Sequence, residues 1–440
     1  MMLDDLEVIN VRLPLAAGGG LFKLRIKDGK WSSIEAQEGL VISDRHLPIS
    51  KLNFDELRTT REIDLQERVL LPGFVDVHMH LDKAYSIAHV RNRSGTLLEA
   101  IENYRSVVPS FSKELIRERI IKSALRAASF GSLTLRSHLD VPFHLGREVA
   151  FRTVEAALEA RETVKDFVDI QYFPMYFYDS ANHRGITEFA EETLRMGIDG
   201  VGGAPHLAPD PEAGIRWAFE LATAFNRPID LHCDESDDPE VKTIDFYCDQ
   251  VLLHGYGGMA TAGHLCSLSA MAQKEADRLI GKMADAGIGT VTLPVVNLYL
   301  QGRGDHGNVR RGLTRVKELL KAGIPVAAAS DNIQDPFHPF GRGDMLQIGL
   351  MTAYAAHLAS EEDLDTILRM LTHLPAAIAG VPEYGVSTGN PASFVVLDAG
   401  SGEELLQELP ATRWVYNKKR WIYASELKQQ WTNPIAAFLP

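Results

Sequence analysis

Between residues 74 and 332, short apolar runs alternate with helical stretches eight times, and no other feature limits the fold as much. The runs are "FVDVHMH", "LTLRSHLDV", "VDIQYFP", "GVGGAPH", "PIDLHCDE", "MATAGHL", "GTVTLPVVN" and "IPVAAASDN". Between them stand segments such as "IRERIIKSALRAAS" and "IRWAFELATAF", whose apolar spacing is helical. Strands that alternate with helices predict parallel pairing, and eight of them predict a TIM-like (β/α)8 barrel over residues 71–384. A helical tail follows in "GDMLQIGLMTAYAAHLA" and "LDTILRMLTHLPAAIAG". The two ends have a different texture. "VINVRL", "LFKLRIKDGKW" and "REIDLQERVLLP" read as hairpin strands, as do "SFVVLDA" and "RWVYNKKRWIYA". Residues 1–70 and 385–440 are therefore expected to form one small β-sandwich domain together.

The strands finish on polar residues where a buried run should stay apolar. His78 and His80, His138, His206, His232, His264 and Asp331 all stand near predicted strand ends. In such barrels the strand C-termini build the active site. His78 and His80 are two apart and share a face of the first strand. Two neutral imidazoles offering lone pairs suit Zn²⁺, Fe²⁺ or a similar ion. His232 and Asp331 are the candidate third and fourth ligands. Glu235 follows three residues after His232, and a loop that turns after the strand brings it over the site. His264 is expected off the metal, facing water or substrate. A metal held this way lowers the pKa of a bound water from ~15.7 toward ~7.

Composition narrows the partners. Lys and Arg number 45 against 59 Asp and Glu, a formal net charge of −14, and no basic block stands out. That argues against nucleic acid or an anionic membrane as partner and suits an enzyme of small molecules. No apolar run approaches the ~18–20 residues of a membrane span. The acidic start lacks the plan of a signal peptide, and Cys233, Cys248 and Cys266 have no CxxC spacing. A cytoplasmic protein with free thiols is expected. The state of assembly is left open, a homo-oligomer included.

The order HxH, His, His, Asp on strands one, five, six and eight resembles the amidohydrolase superfamily. Over most of residues 70–390, "HMHLD", "HCDES", "GHL", "LPVVNLYLQGR", "RRGLTRVKELLKAGI" and "SDN" are similar to its cytosine deaminase branch. "LDK" and "ASDNIQD" with "PFGRGDM" are closer to the relative that hydrolyses N-isopropylammelide. The resemblance implies that His78, His80, His232 and Asp331 hold one divalent Zn or Fe ion. It also implies that Glu235 shuttles protons, that His264 orients hydroxide or polarises substrate, and that Asp331 takes the water's proton. Dinuclear members carry a carboxylated lysine after the third or fourth strand; "VDIQYFPM" and "GVGGAPH" have none, so one metal is expected. Lys83 falls one strand too early for that role and is expected to be a structural ion-pair partner.

Three positions depart from cytosine deaminase. Its substrate-reading glutamine falls on Met175 or Phe177, its second aspartate is Asn332, and its tryptophan is Phe337. The chemistry therefore carries over while cytosine itself does not. His138, His206, Gln301, Arg303, Asp335 and His338 are further candidates for the mouth of the barrel; Cys233 is expected to pack on the outer face. The expected reaction is deamination of a cyclic amidine, such as a pyrimidine or aminotriazine, by metal-activated hydroxide. The alternative is release of an alkylamine from an N-alkylamino-triazine, or opening of a cyclic amide. A non-catalytic binding paralogue is disfavoured, because such a protein has no need of Glu235.

Overall fold

The computed structural model describes residues 2–16, 19–176, 185–430 and 432. The chain divides into two compact units, residues 1–72 with 386–440, and residues 73–385.

The terminal unit is a mixed sheet drawn from both chain ends. Asp5–Arg12, Leu21–Lys27 and Lys30–Gln37 form an antiparallel meander. Val69–Pro72 pairs antiparallel with Phe394–Leu397, which continues through Arg413–Asn417 to Arg420–Ser425. Its core gathers Val8, Leu24, Trp31, Phe394, Trp414 and Trp421, residues from both ends of the sequence. Glu7 lies on this sheet within reach of three nitrogen-bearing side chains: Lys23 at 2.9 Å, Arg25 at 2.6 Å and His46 at 2.9 Å.

The other unit is the barrel. Its strands are β1 (Phe74–Met79), β2 (Ser132–Leu139), β3 (Asp169–Pro174), β4 (Val201–Gly203), β5 (Ile229–Cys233), β6 (Ala260–His264), β7 (Gly289–Thr292) and β8 (Val326–Ala328). β1–β3 and β4–β8 are two parallel runs. Single bridges join them, Met175 to Gly202 on one side and Met79 to Asp331 on the other. At the first seam the backbones approach closely: a Cβ on Gly202 would stand 2.8 Å from the Pro174 carbonyl oxygen. The helices Lys113–Ser129, Arg147–Val164, Ile186–Met196, Pro211–Phe225, Thr243–His254 and Gln273–Ala286 fall where the apolar periodicity puts them. Acidic Glu361 and Glu362 open the helix Glu361–Leu371 behind the Ser360 cap, in keeping with the favoured place of carboxylates.

One segment differs from the sequence expectation. "GTVTLPVVN" does not run through as a strand; β7 stops at Thr292 and a helix spans Pro294–Leu300. Proline lacks the N–H that a strand ladder needs and is at home in a helix's first turn.

The outward side chains of β1 and β8, Val75, Val77 and Ala327, pack with Ala329 just beyond β8 and with Ala376 and Ala379. The inward faces are polar. Asp76, Arg136 and Asp230 each stand two residues before a histidine, so they point inward one layer below it. Arg136 donates to Asp230 Oδ2 at 2.7 Å, to Gln171 Oε1 at 3.1 Å and to the Ile378 carbonyl at 3.2 Å. Asp76 accepts from the Ser330 hydroxyl and from the Ser330 main chain. This layer fixes the strand ends above it.

Candidate metal centre

Three strand ends leave regular geometry where the site begins. Asp234, His264 and Asp331 have φ of 53°, 70° and 59°, a left-handed backbone uncommon outside glycine. Such a residue costs on the order of 1–3 kcal/mol and persists only where its surroundings hold it. Hydrogen bonds do so: the Asp331 N–H donates to the His78 carbonyl at 2.8 Å, and the Leu265 N–H to the Cys233 carbonyl at 2.9 Å. The geometric effect is large. In a regular β8, Asp331 would follow Ala327 and Ala329 outward. In β6, Gly263 faces His78 inside, so alternation would send His264 out. The left-handed turns bring both to the mouth. At β5 the turn at Asp234 swings Glu235 inward, while the Asp234 carboxylate accepts from Thr243 N–H at 2.8 Å and Ile244 N–H at 3.2 Å. The strand thus runs through Cys233, and the turn follows at Asp234. Asp237, in the loop before the helix Thr243–His254, accepts from the Gly302 N–H at 2.6 Å.

Four donor atoms meet at the floor of the mouth. His78 Nε2 lies 3.1 Å from His232 Nε2, which lies 3.2 Å from His80 Nε2. Asp331 Oδ1 is 3.4 Å from His80 Nε2 and 3.9 Å from His78 Nε2. Ligands at the ~2.0–2.1 Å of a zinc–nitrogen bond stand about 3.3 Å apart around a tetrahedron. The spacing is that of a shared cation. The protein alone leaves these groups uncompensated: Asp331 is 1% exposed, and no described residue donates a hydrogen bond to either carboxylate oxygen. His80 donates from Nδ1 to the His138 carbonyl at 3.1 Å, which leaves its Nε2 lone pair facing inward. Burial, and then the crowding of the histidines on one another and of Lys83 on His80, push the pKa values of His78, His80 and His232 well below the ordinary histidine value, which favours neutral rings. A neutral imidazole set with one unpaired carboxylate fits a divalent cation. The barrel therefore carries a buried, histidine-rich metal-binding site.

A second triad, His78 with His138 and Asp230, also brings donor atoms together. Arg136 already supplies its positive charge, 2.7 Å from Asp230 Oδ2.

Above the donors opens a cavity with about 560 Å³ of atom-free space, its mouth included. His80, His232, Glu235, His264, Asp331 and Asn332 line its floor; Leu97, Ile101, Tyr104, Met175, Leu207 and Phe337 line its apolar part. Glu235 Oε1 is 3.5 Å from His264 Nδ1. Burial, reinforced by the nearby Asp331 charge, raises the Glu235 carboxyl well above the ordinary range, which favours its protonated form. Asn297, from the helix after β7, donates to His264 Nδ1 at 3.0 Å and leaves His264 Nε2 for the cavity.

The other candidates divide. Met175, Asn332 and Phe337 line the cavity. Phe177 lies outside the described residues. His138 sits behind the floor, its ring 4.1 Å from that of His78. His206 is also behind it, its Nδ1 3.1 Å from the His232 carbonyl oxygen. Gln301 packs under Gly312, and Arg303 turns back onto the Tyr299 carbonyl; neither lines the cavity. Lys83 does line it. Its ammonium is 3.8 Å from Asp140 and 4.6 Å from the Phe337 ring centroid, so the expected ion pair exists but borders the ligand space. Cys233 is buried away from the cavity. Leu97, Ile101 and Tyr104 come from the helix Leu97–Val107, which the sequence reading did not use; "LLEAIENYRSV" behind Thr96 carries a helical apolar spacing that would have found it.

Comparison with known proteins agrees with this geometry. A model of the amidohydrolase family matches residues 141–416. The chain is 34% identical to a pterin deaminase of Rhizobium rhizogenes over 368 residues, 82% of each chain. It is 30% identical to the N-isopropylammelide isopropyl amidohydrolase of a Pseudomonas species, over 77% of this chain and 82% of that one. The solved structure of 5-methylcytosine deaminase from Klebsiella pneumoniae, liganded with 5-fluorocytosine, superposes with a TM-score of 0.88 at 28% identity, covering 97% and 99% of the two chains. This chain belongs to the amidohydrolase family. It is a hydrolase of C–N bonds other than peptide bonds. Among the described residues no helix is long and apolar enough to cross a membrane.

Proposed function

We propose that this protein deaminates a small heteroaromatic cyclic amidine, using one Zn²⁺ or Fe²⁺ ion held by His78, His80, His232 and Asp331. The observation that carries the reading is the meeting of those four donors on the floor of a cavity that Glu235 also lines. Bound there, a divalent cation supplies Lewis acidity and makes hydroxide available near neutral pH. The protein's own groups do the rest. The apolar walls from Leu97, Ile101 and Phe337 bury the ring and exclude water. Glu235 gives its proton to the ring nitrogen as the water oxygen joins the amidine carbon, and Asp331 takes the proton that water loses. His264 polarises the substrate from Nε2. Glu235, now a carboxylate, takes the remaining proton from the new hydroxyl and gives it to the amino nitrogen; the C–N bond breaks with its electron pair on nitrogen, ammonia leaves, and the proton held by Asp331 restores Glu235. The names of the relatives, which act on pterin, 5-methylcytosine and N-isopropylammelide, support a heterocyclic substrate.

A second reading has its own support. The N-isopropylammelide relative and the apolar cavity wall both suit an N-alkyl group, so that an alkylamine would be the leaving group. The test is a panel of pterin, 5-methylcytosine, cytosine and N-isopropylammelide with Zn²⁺- or Fe²⁺-loaded protein, assayed for ammonia and for isopropylamine. Ammonia from a ring amine supports the first reading. Isopropylamine alone selects the second, and neither product from any substrate refutes both.

A further inference from the structure

The segment after β8 folds back on itself around one carboxylate. Asp335 is fully buried, and its Oδ1 accepts from the Phe337 N–H at 2.9 Å and the His338 N–H at 3.0 Å. Its Oδ2 accepts from the Asn332 amide nitrogen at 2.6 Å. The His338 ring closes the loop, its Nδ1 3.2 Å from the Asn332 carbonyl oxygen of the main chain. Asp335 does not line the cavity; Asn332 does, and it is itself 4% exposed.

This arrangement decides which end of the Asn332 amide is free. An amide has one donor end and one acceptor end, and the donor end is committed to Asp335. Among the described residues nothing donates to the Asn332 side-chain oxygen, although the residue borders the ligand space.

We propose that Asp335 is a positioning residue that locks the Asn332 amide with its carbonyl oxygen toward the cavity, so that the site selects a heterocycle presenting a ring N–H at that point. The proposal deepens the reading of the cavity as a heterocycle site and rests on it. It makes a sharp prediction, because Asp335→Asn inverts the local polarity without removing a contact. Its remaining oxygen still accepts from the Phe337 and His338 N–H groups, and its new NH₂ faces Asn332. The Asn332 amide must then turn over and present its own NH₂ to the cavity. Exchanging the two residues, Asn332→Asp with Asp335→Asn, restores an acceptor to the cavity.

The experiment uses the zinc-loaded full chain and two probes, 2-pyridone with a ring N–H and 2-aminopyridine with a ring-nitrogen acceptor. Dissociation constants are measured by calorimetry for the parent, Asp335→Asn and the exchanged double variant. The parent is expected to favour 2-pyridone by ~10-fold or more, the scale of one buried mispaired polar group. Asp335→Asn should reverse that preference, and the double variant should recover it. An unchanged ratio in Asp335→Asn overturns the proposal, as does a double variant that stays reversed or a parent that binds neither probe. Turnover plays no part. A ratio that inverts in a protein releasing no amine would refute the proposed reaction and still support the role of Asp335.

Discussion

Gly263 is the smallest lever on the metal centre. It faces His78 from β6, and a Cβ there would stand 3.0 Å from His78 Cε1 and 3.1 Å from Nδ1. Carbon atoms at rest sit about 3.5–4.0 Å apart, so Gly263→Ala obliges the ring to retreat by roughly 0.5 Å. It has little room: His78 is fully buried, with the His138 and His232 rings centred 4.1 Å and 4.4 Å away. Metal–ligand distances tolerate only about 0.2 Å. Metal affinity is therefore expected to fall by ~10–100-fold, the range seen when a ligand's support is disturbed. The fold should survive, because Gly263 has no left-handed φ for alanine to strain, and overpacking of this kind costs about 1–3 kcal/mol. The assay is zinc competition against a chromogenic chelator, with urea unfolding of metal-free protein as control. Gly281→Ala, whose Cβ would meet nothing within 4 Å, should leave affinity unchanged. Parent-like affinity in Gly263→Ala would show that His78 is not a ligand held in register by this contact.

Glu235→Gln should retain metal by elemental analysis and lose ~10²–10⁴-fold in kcat, since the proton is gone and the shape is kept. Asp230→Asn leaves the buried Arg136 guanidinium without its counter-charge; a loss of ~3–5 kcal/mol is expected in chemical denaturation. In the terminal unit, burial raises the Glu7 pKa, but hydrogen bonds from Lys23, Arg25 and His46 outweigh it and bring the value down from 4.5 to about 2. Stability contributed by Glu7 is thus present above pH 4.5 and lost as pH falls toward about 2. Glu7→Gln should flatten that limb of the unfolding profile measured between these values.

The barrel was legible because most strands are short apolar runs closed by a polar residue, and the helices carry their own period. "LPVVN" misled because Val295 and Val296 look like strand residues, while the proline before them starts a helix. The HxH pair follows from alternation alone. Asp331 and His264 do not: alternation points both outward, and the left-handed backbone that turns them in has no sequence mark in "ASDN" or "AGHL". Their place at the ends of predicted strands, not alternation, makes them candidates. The inward layer of Asp76, Arg136 and Asp230 is equally legible, since each precedes a histidine by two and so must share its face. Lys83 was placed by its ion pair, and that contact alone does not say that its other side borders a cavity.

The pairing of Val69–Pro72 with Phe394–Leu397 has a consequence for biosynthesis. On the ribosome, the earlier strand emerges over three hundred residues before its partner, a delay on the order of tens of seconds at ordinary elongation rates. Throughout that interval "VLLP" offers the nascent chain an unsatisfied, apolar edge of the kind that recruits stray strands. Expression yield should therefore depend on shielding by chaperones, and more steeply as translation slows.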